Sequence, residues 1–124
     1  MHINESAENY LETILLIGRK TPYVRAVDVA NELGFKKSSV SIAMKNLREK
    51  NYITVASSGH ISLTDSGREI AEMIYERHEL ISKTLMKLGV PESIAVEDAC
   101  KIEHDISKES FDAIKELMVK FVNN

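Results

Sequence analysis

The sequence predicts a mainly α fold, an N-terminal winged helix-turn-helix over residues 1–64 followed by a helical region over 65–124. Two observations predict it. Apolar residues recur at three- and four-residue spacings through six segments, as one face of a helix requires. Only the stretch from Asn51 to Thr64 switches to a strand-like pattern.

The elements follow in order. Glu5 to Ile17 places Ala7, Tyr10, Leu11, Ile14 and Leu15 on one face, with Ser6 or Asn4 as cap. Gly18 and Thr21-Pro22 close that helix. A short helix from Val27 to Leu33 ends at Gly34. Lys36-Lys37-Ser38-Ser39 then offers a hydroxyl cap to a helix burying Val40, Ala43, Met44 and Leu47. Tyr52 to Val55, a turn at Ser57-Ser58-Gly59, and Ile61 to Leu63 make a hairpin. Thr64 or Asp65 caps a long helix through Leu88, with Ile70, Ile74, Ile81, Leu85 and Leu88 on one stripe. Gly89-Val90-Pro91 interrupts it, and Pro91 opens a helix to about His104. Ser107 caps the last helix, which carries Phe111, Ile114, Leu117, Met118 and Phe121.

The chain has 124 residues, and a single domain is the default at that length. The longest apolar run, Ile14 to Ile17, is far below the ~20 residues of a membrane span. The first five residues lack the basic start and apolar core of a signal peptide. One cysteine closes no internal disulfide, so a cytoplasmic protein with a reduced thiol is expected. The net charge of -3 hides an asymmetry. Residues 1–64 hold 8 basic and 6 acidic side chains, whereas 65–124 hold 8 and 13. Between Lys36 and Lys50, five basic residues face Glu49 alone, a local stripe suited to phosphate contact.

In a winged helix-turn-helix the second helix of the pair enters the major groove, its N-terminal residues facing bases and phosphates. Lys36 and Lys37 precede that helix, and Ser38, Ser39 and Ser41 can donate to phosphate oxygens. Ile42 and Lys45, one turn on, can meet a thymine methyl or a guanine edge. Arg25 and His60, the latter near the wing tip, are assigned to the same DNA-binding face. Taken singly, the lysine pair is a solvated turn, Ser38 a cap and His60 a loop histidine. Their combination with the turn and the hairpin points to DNA.

The second signal is Cys100, Glu103 and His104, which share one face of a helix. Thiolate, carboxylate and imidazole together suit Fe²⁺, Co²⁺, Ni²⁺ or Zn²⁺. His78 lies within the apolar stripe between Ile74 and Ile81, and Asn9 and Glu12 can present two oxygens from the first helix. Each has a bland alternative: a core thiol, a solvated Glu103, a helix-terminal His104, a core His78 and a solvent-facing Asn9-Glu12 pair.

These residues resemble the diphtheria toxin repressor family of iron- and manganese-dependent transcriptional regulators over essentially the whole chain. The resemblance rests on residues 8–14, Ser38-Ser39-Val40-Ser41, Leu63-Thr64-Asp65-Ser66-Gly67, Arg77-His78-Glu79-Leu80 and residues 98–104. It implies a DNA-binding domain over 1–64 and a dimerisation and metal-binding domain over 65–124. Operator DNA and a second copy of the chain are the implied partners, with no membrane and no small-molecule substrate. The implied ligands are Cys100, Glu103 and His104, with His78 and with Glu12 and Asn9 of the first helix. Cys100 matches the iron-type members and Glu12 the manganese-type. Asn9 departs from the Met or Asp of that family, and Ser82 and Val96 replace accessory ligands of a second iron-type site. The chain ends at Asn124, like the short manganese transport regulators. The expected function is a metal-dependent transcriptional repressor of metal homeostasis, with Fe²⁺ or Mn²⁺ as co-repressor and Co²⁺, Ni²⁺ or Zn²⁺ as substitutes. The alternatives are a regulator that no longer senses metal and, least favoured, a small metalloenzyme. No nucleophile–base pair accompanies the ligands, so no catalysis is expected.

Overall fold

In the computed structural model, which describes residues 4–122, α1 (Glu5–Lys20) starts where the Asn4 side chain accepts the Ala7 N–H at 2.7 Å. Asn4, not Ser6, is therefore the cap. The helix runs through Gly18 and stops at Thr21, whose backbone is extended. The stop belongs to the proline that follows, because a residue before proline is driven out of the helical region.

The chain then forms α2 (Ala26–Leu33), α3 (Lys37–Glu49), β1 (Ile53–Val55), β2 (Ile61–Leu63), α4 (Asp65–Lys87), α5 (Glu92–Ile102) and α6 (Lys108–Val122). Gly34 ends α2 in the left-handed region at φ 70°, a conformation a side chain would strain. The expected serine cap of α3 is not formed. Lys36 occupies the cap position without a side-chain hydrogen bond, so Ser38 and Ser39 fall inside the first turn. The strands pair antiparallel, with Ile53 opposite Leu63 and Val55 opposite Ile61. The Ile61 N–H also donates to the Val24 carbonyl at 2.8 Å, pinning the wing to the segment between α1 and α2.

Two compact units, Met1–Met73 and Ile74–Asn124, divide the chain within α4. Leu11, Val29, Val40 and Ile53 lie fully buried in the first. Its closing contact is at Gly67, where an added Cβ would collide with the Tyr52 carbonyl. The Thr64 hydroxyl caps α4 there by accepting the Gly67 N–H at 3.2 Å.

In the second unit Ile74, Ile81, Ala95, Ala99, Phe111 and Met118 are buried. Pro91 is the N-cap of α5 and not its first residue, and α5 ends at Ile102, short of His104. Ser107 caps α6, accepting the Ser110 N–H at 3.1 Å. The predicted apolar stripes are only partly covered. Leu88, Leu117 and Phe121 are 76%, 55% and 66% exposed, because nothing within the described residues packs on them. Among the described residues no helix is long and apolar enough to cross a membrane.

Candidate metal centre and DNA-binding face

The second unit gathers His78 from α4 with Cys100 and Glu103 from the end of α5, their donor atoms all within 4.8 Å of one another. His78 Nδ1 is 2.9 Å from Glu103 Oε2 and 3.8 Å from Cys100 Sγ. The other carboxylate oxygen, Oε1, is 3.4 Å from His104 Nε2. Glu103 thus lies between two imidazoles, and its side chain is only 2% exposed. A carboxylate buried this far needs compensating partners, and two imidazoles stand in that position.

Two of the bland readings, a core Cys100 and a solvated Glu103, differ from the geometry. Cys100 is exposed instead of packed in the core, Glu103 is buried instead of solvated, and the His104 side chain is 4% exposed. The short reach from Cys100 to Glu103 follows from the helix, since Glu103 at the C-cap keeps helical dihedrals (φ -58°, ψ -27°). One sulfur, nitrogen and carboxylate oxygen at these separations fit a borderline divalent ion, whose bonds of ~2.0–2.3 Å need only small adjustments. The Ser82 hydroxyl donates to the His78 and Glu79 carbonyls at 2.7 and 3.1 Å.

Asn9 and Glu12 stand in the first unit, on α1. Glu12 is buried and Asn9 half-buried, the Asn9 carbonyl accepting the Thr13 hydroxyl at 2.8 Å. They are not part of the three-residue cluster.

The first unit presents Arg25, Lys36, Lys37, Ser38, Ser39, Ser41, Ile42 and Lys45 as exposed side chains. Ile42 is 63% exposed on the outer face of α3. His60 does not project from the wing tip. It is half-buried where the turn re-enters β2, and its ring stacks on Tyr23 at 4.5 Å between centroids. The Arg25 guanidinium lies 5.8 Å from the same Tyr23 ring, so one tyrosine links the start of α2 to the wing. Sequence reasoning missed Tyr23, which no periodicity singles out. It named Arg77 only as part of the resemblance and gave it no role, although a charge at the buried spacing between Ile74 and Ile81 was a legible signal.

Residues 2–61 match the iron dependent repressor N-terminal DNA binding domain, and residues 64–124 match the iron dependent repressor metal binding and dimerisation domain. The chain belongs to the iron-dependent repressor family. That family consists of DNA-binding transcriptional regulators, not enzymes. An uncharacterized HTH-type transcriptional regulator of Methanocaldococcus jannaschii is 35% identical over 121 residues, covering 96% of this chain and 97% of that one. The metal-dependent transcriptional regulator MtsR superposes with a TM-score of 0.84 at 25% identity, over 90% of this chain and 53% of its own. A manganese-dependent transcriptional repressor solved with manganese gives 0.80 at 26% identity, over 89% and 51%. This chain therefore spans about half the length of those two solved regulators.

Proposed function

We propose that this family member is a metal-dependent transcriptional repressor serving metal homeostasis, with Fe²⁺ or Mn²⁺ as co-repressor. The carrying observation is the convergence of His78, Cys100 and Glu103 within 4.8 Å. In this reading His78 and His104 offer imidazole nitrogens, Cys100 a thiolate and Glu103 a carboxylate, and Asn9 and Glu12 are candidate ligands on the family resemblance alone. A bound divalent ion supplies positive charge that these donors share. Whatever the ion, it acts through a difference in affinity between DNA-competent and incompetent arrangements, typically ~1–3 kcal/mol of coupling.

We assign DNA binding to 1–64 and dimerisation with metal binding to 65–124. Lys36, Lys37, Ser38, Ser39, Ser41 and Arg25 hold phosphates, Ile42 and Lys45 read base edges, and His60 on Tyr23 approaches the adjacent backbone. The exposed apolar residues of α5 and α6, among them Ile94, Leu117 and Phe121, support a second copy of this chain as partner. Two recognition helices about one turn of DNA apart, ~34 Å, then meet two half-sites.

An anaerobic Co²⁺ titration followed by absorption tests the ligand set, on wild type and on Cys100→Ala. A thiolate-to-metal charge-transfer band absent from the variant is expected. Ligand-field bands without that transition would remove Cys100 from the set, and no spectral change would remove the metal site. A second reading, a regulator indifferent to metal, is favoured by Asn9 alone, whose neutral amide is a weaker donor than a carboxylate. Operator affinity unchanged by chelator would establish it.

A further inference from the structure

Arg77 is 8% exposed, an uncommon depth for a permanent cation. Among the described residues its hydrogen bonds go to main-chain carbonyls of the turn that leaves α5. Nη1 donates to Glu103 O at 3.1 Å and to Ile106 O at 3.0 Å. The guanidinium also lies 5.5 Å over the Phe111 ring, and Nε is buried without a hydrogen-bond partner among the described residues.

The geometry points to Arg77 as the positioning residue for the metal ligands of that turn. Helix α5 ends at Ile102, so the carbonyls beyond it have no donors from a further helical turn. One nitrogen of Arg77 gathers two of them, which fixes the path of the backbone carrying Glu103 and His104. His78, the next residue on α4, takes the Glu103 carboxylate at 2.9 Å. Successive residues of one helix therefore hold Glu103 at both ends, by main chain and by side chain. Stability alone does not call for a buried guanidinium, since an apolar side chain of similar volume commonly serves as well. What arginine adds is direction: a planar, permanently charged donor set whose hold on two carbonyls does not vary with pH. Such support is how outer residues orient metal ligands.

This inference rests on the metal-site reading above, and one experiment separates the two. Co²⁺ is titrated anaerobically into the full chain as wild type, Arg77→Lys and Arg77→Met, each first checked by circular dichroism melting. Both variants are expected to fold, to bind Co²⁺ about tenfold or more weakly, and to show displaced ligand-field bands. Arg77→Lys, retaining charge without the planar fork, should be the milder. A folded Arg77→Met with wild-type affinity and bands overturns the inference. If only Arg77→Lys folds, a wild-type result from it does the same, and loss of folding in both reduces Arg77 to a structural role. Wild type that takes up no Co²⁺ overturns the metal-site reading and this inference together. Wild type that binds, beside folded variants that match it, overturns this inference alone.

Discussion

Glu103 shows how burial and function meet in one side chain. Its carboxylate is nearly inaccessible, yet both oxygens face imidazoles, so the group is held ready to act as an acceptor. A different constraint acts at Gly67, in the first turn of α4, where any side chain would strike the Tyr52 carbonyl. Gly67→Ala is expected to cost ~1–3 kcal/mol, the usual range for overpacking a close contact. Urea denaturation should show a lower midpoint, with the Co²⁺ spectrum of the folded protein unchanged. The sequence made the ligand residues legible through helical spacing, which brought Cys100 and Glu103 onto one face. It could not show that Glu103 is buried or that His78 bonds it, because both depend on how α4 packs against the end of α5. Tyr23 was illegible for the same reason, its stack on His60 joining residues 37 positions apart in sequence.

Among the elements, α3 carries the DNA reading and α6 the dimer reading. Helix α3 has no side-chain cap at its N-terminus, where Lys36 and Lys37 stand exposed. A helix N-terminus with adjacent lysines favours phosphate. Lys37→Ala is expected to weaken binding to all duplexes alike and to lower the slope of log affinity against log salt by ~1. Titrations across salt concentrations check this, and an unchanged slope would place Lys37 off the phosphates. On α6 the helical pattern put five apolar residues on one stripe, of which only Phe111 and Met118 are buried and Ile114 is half-buried. Periodicity finds an apolar face without saying what covers it. Replacing Leu117 and Phe121 together by Glu is expected to shift sedimentation from dimer to monomer while leaving helix content intact. A dimer that survives would move the interface elsewhere.

At the scale of the whole molecule, the charge asymmetry read from the sequence matches a division of labour. The basic stripe belongs to the DNA-binding match and the acidic excess to the metal-binding and dimerisation match. Fold order was legible because each element has its own period and its own stop signal. The boundary between compact units was not, since it falls inside the continuous helix α4, where neither period nor composition changes. The function joins the two parts only if metal occupancy alters DNA affinity. The most direct measurement selects a duplex from a random pool with the protein and Mn²⁺, then follows its binding by fluorescence anisotropy. Wild type with Mn²⁺ should bind at least about tenfold more tightly than wild type with chelator, within the usual range of allosteric coupling. Glu103→Ala should bind as the chelated protein does, whether or not Mn²⁺ is present. Equal affinity in all of these conditions would contradict metal-dependent repression and leave a winged-helix regulator that does not sense metal.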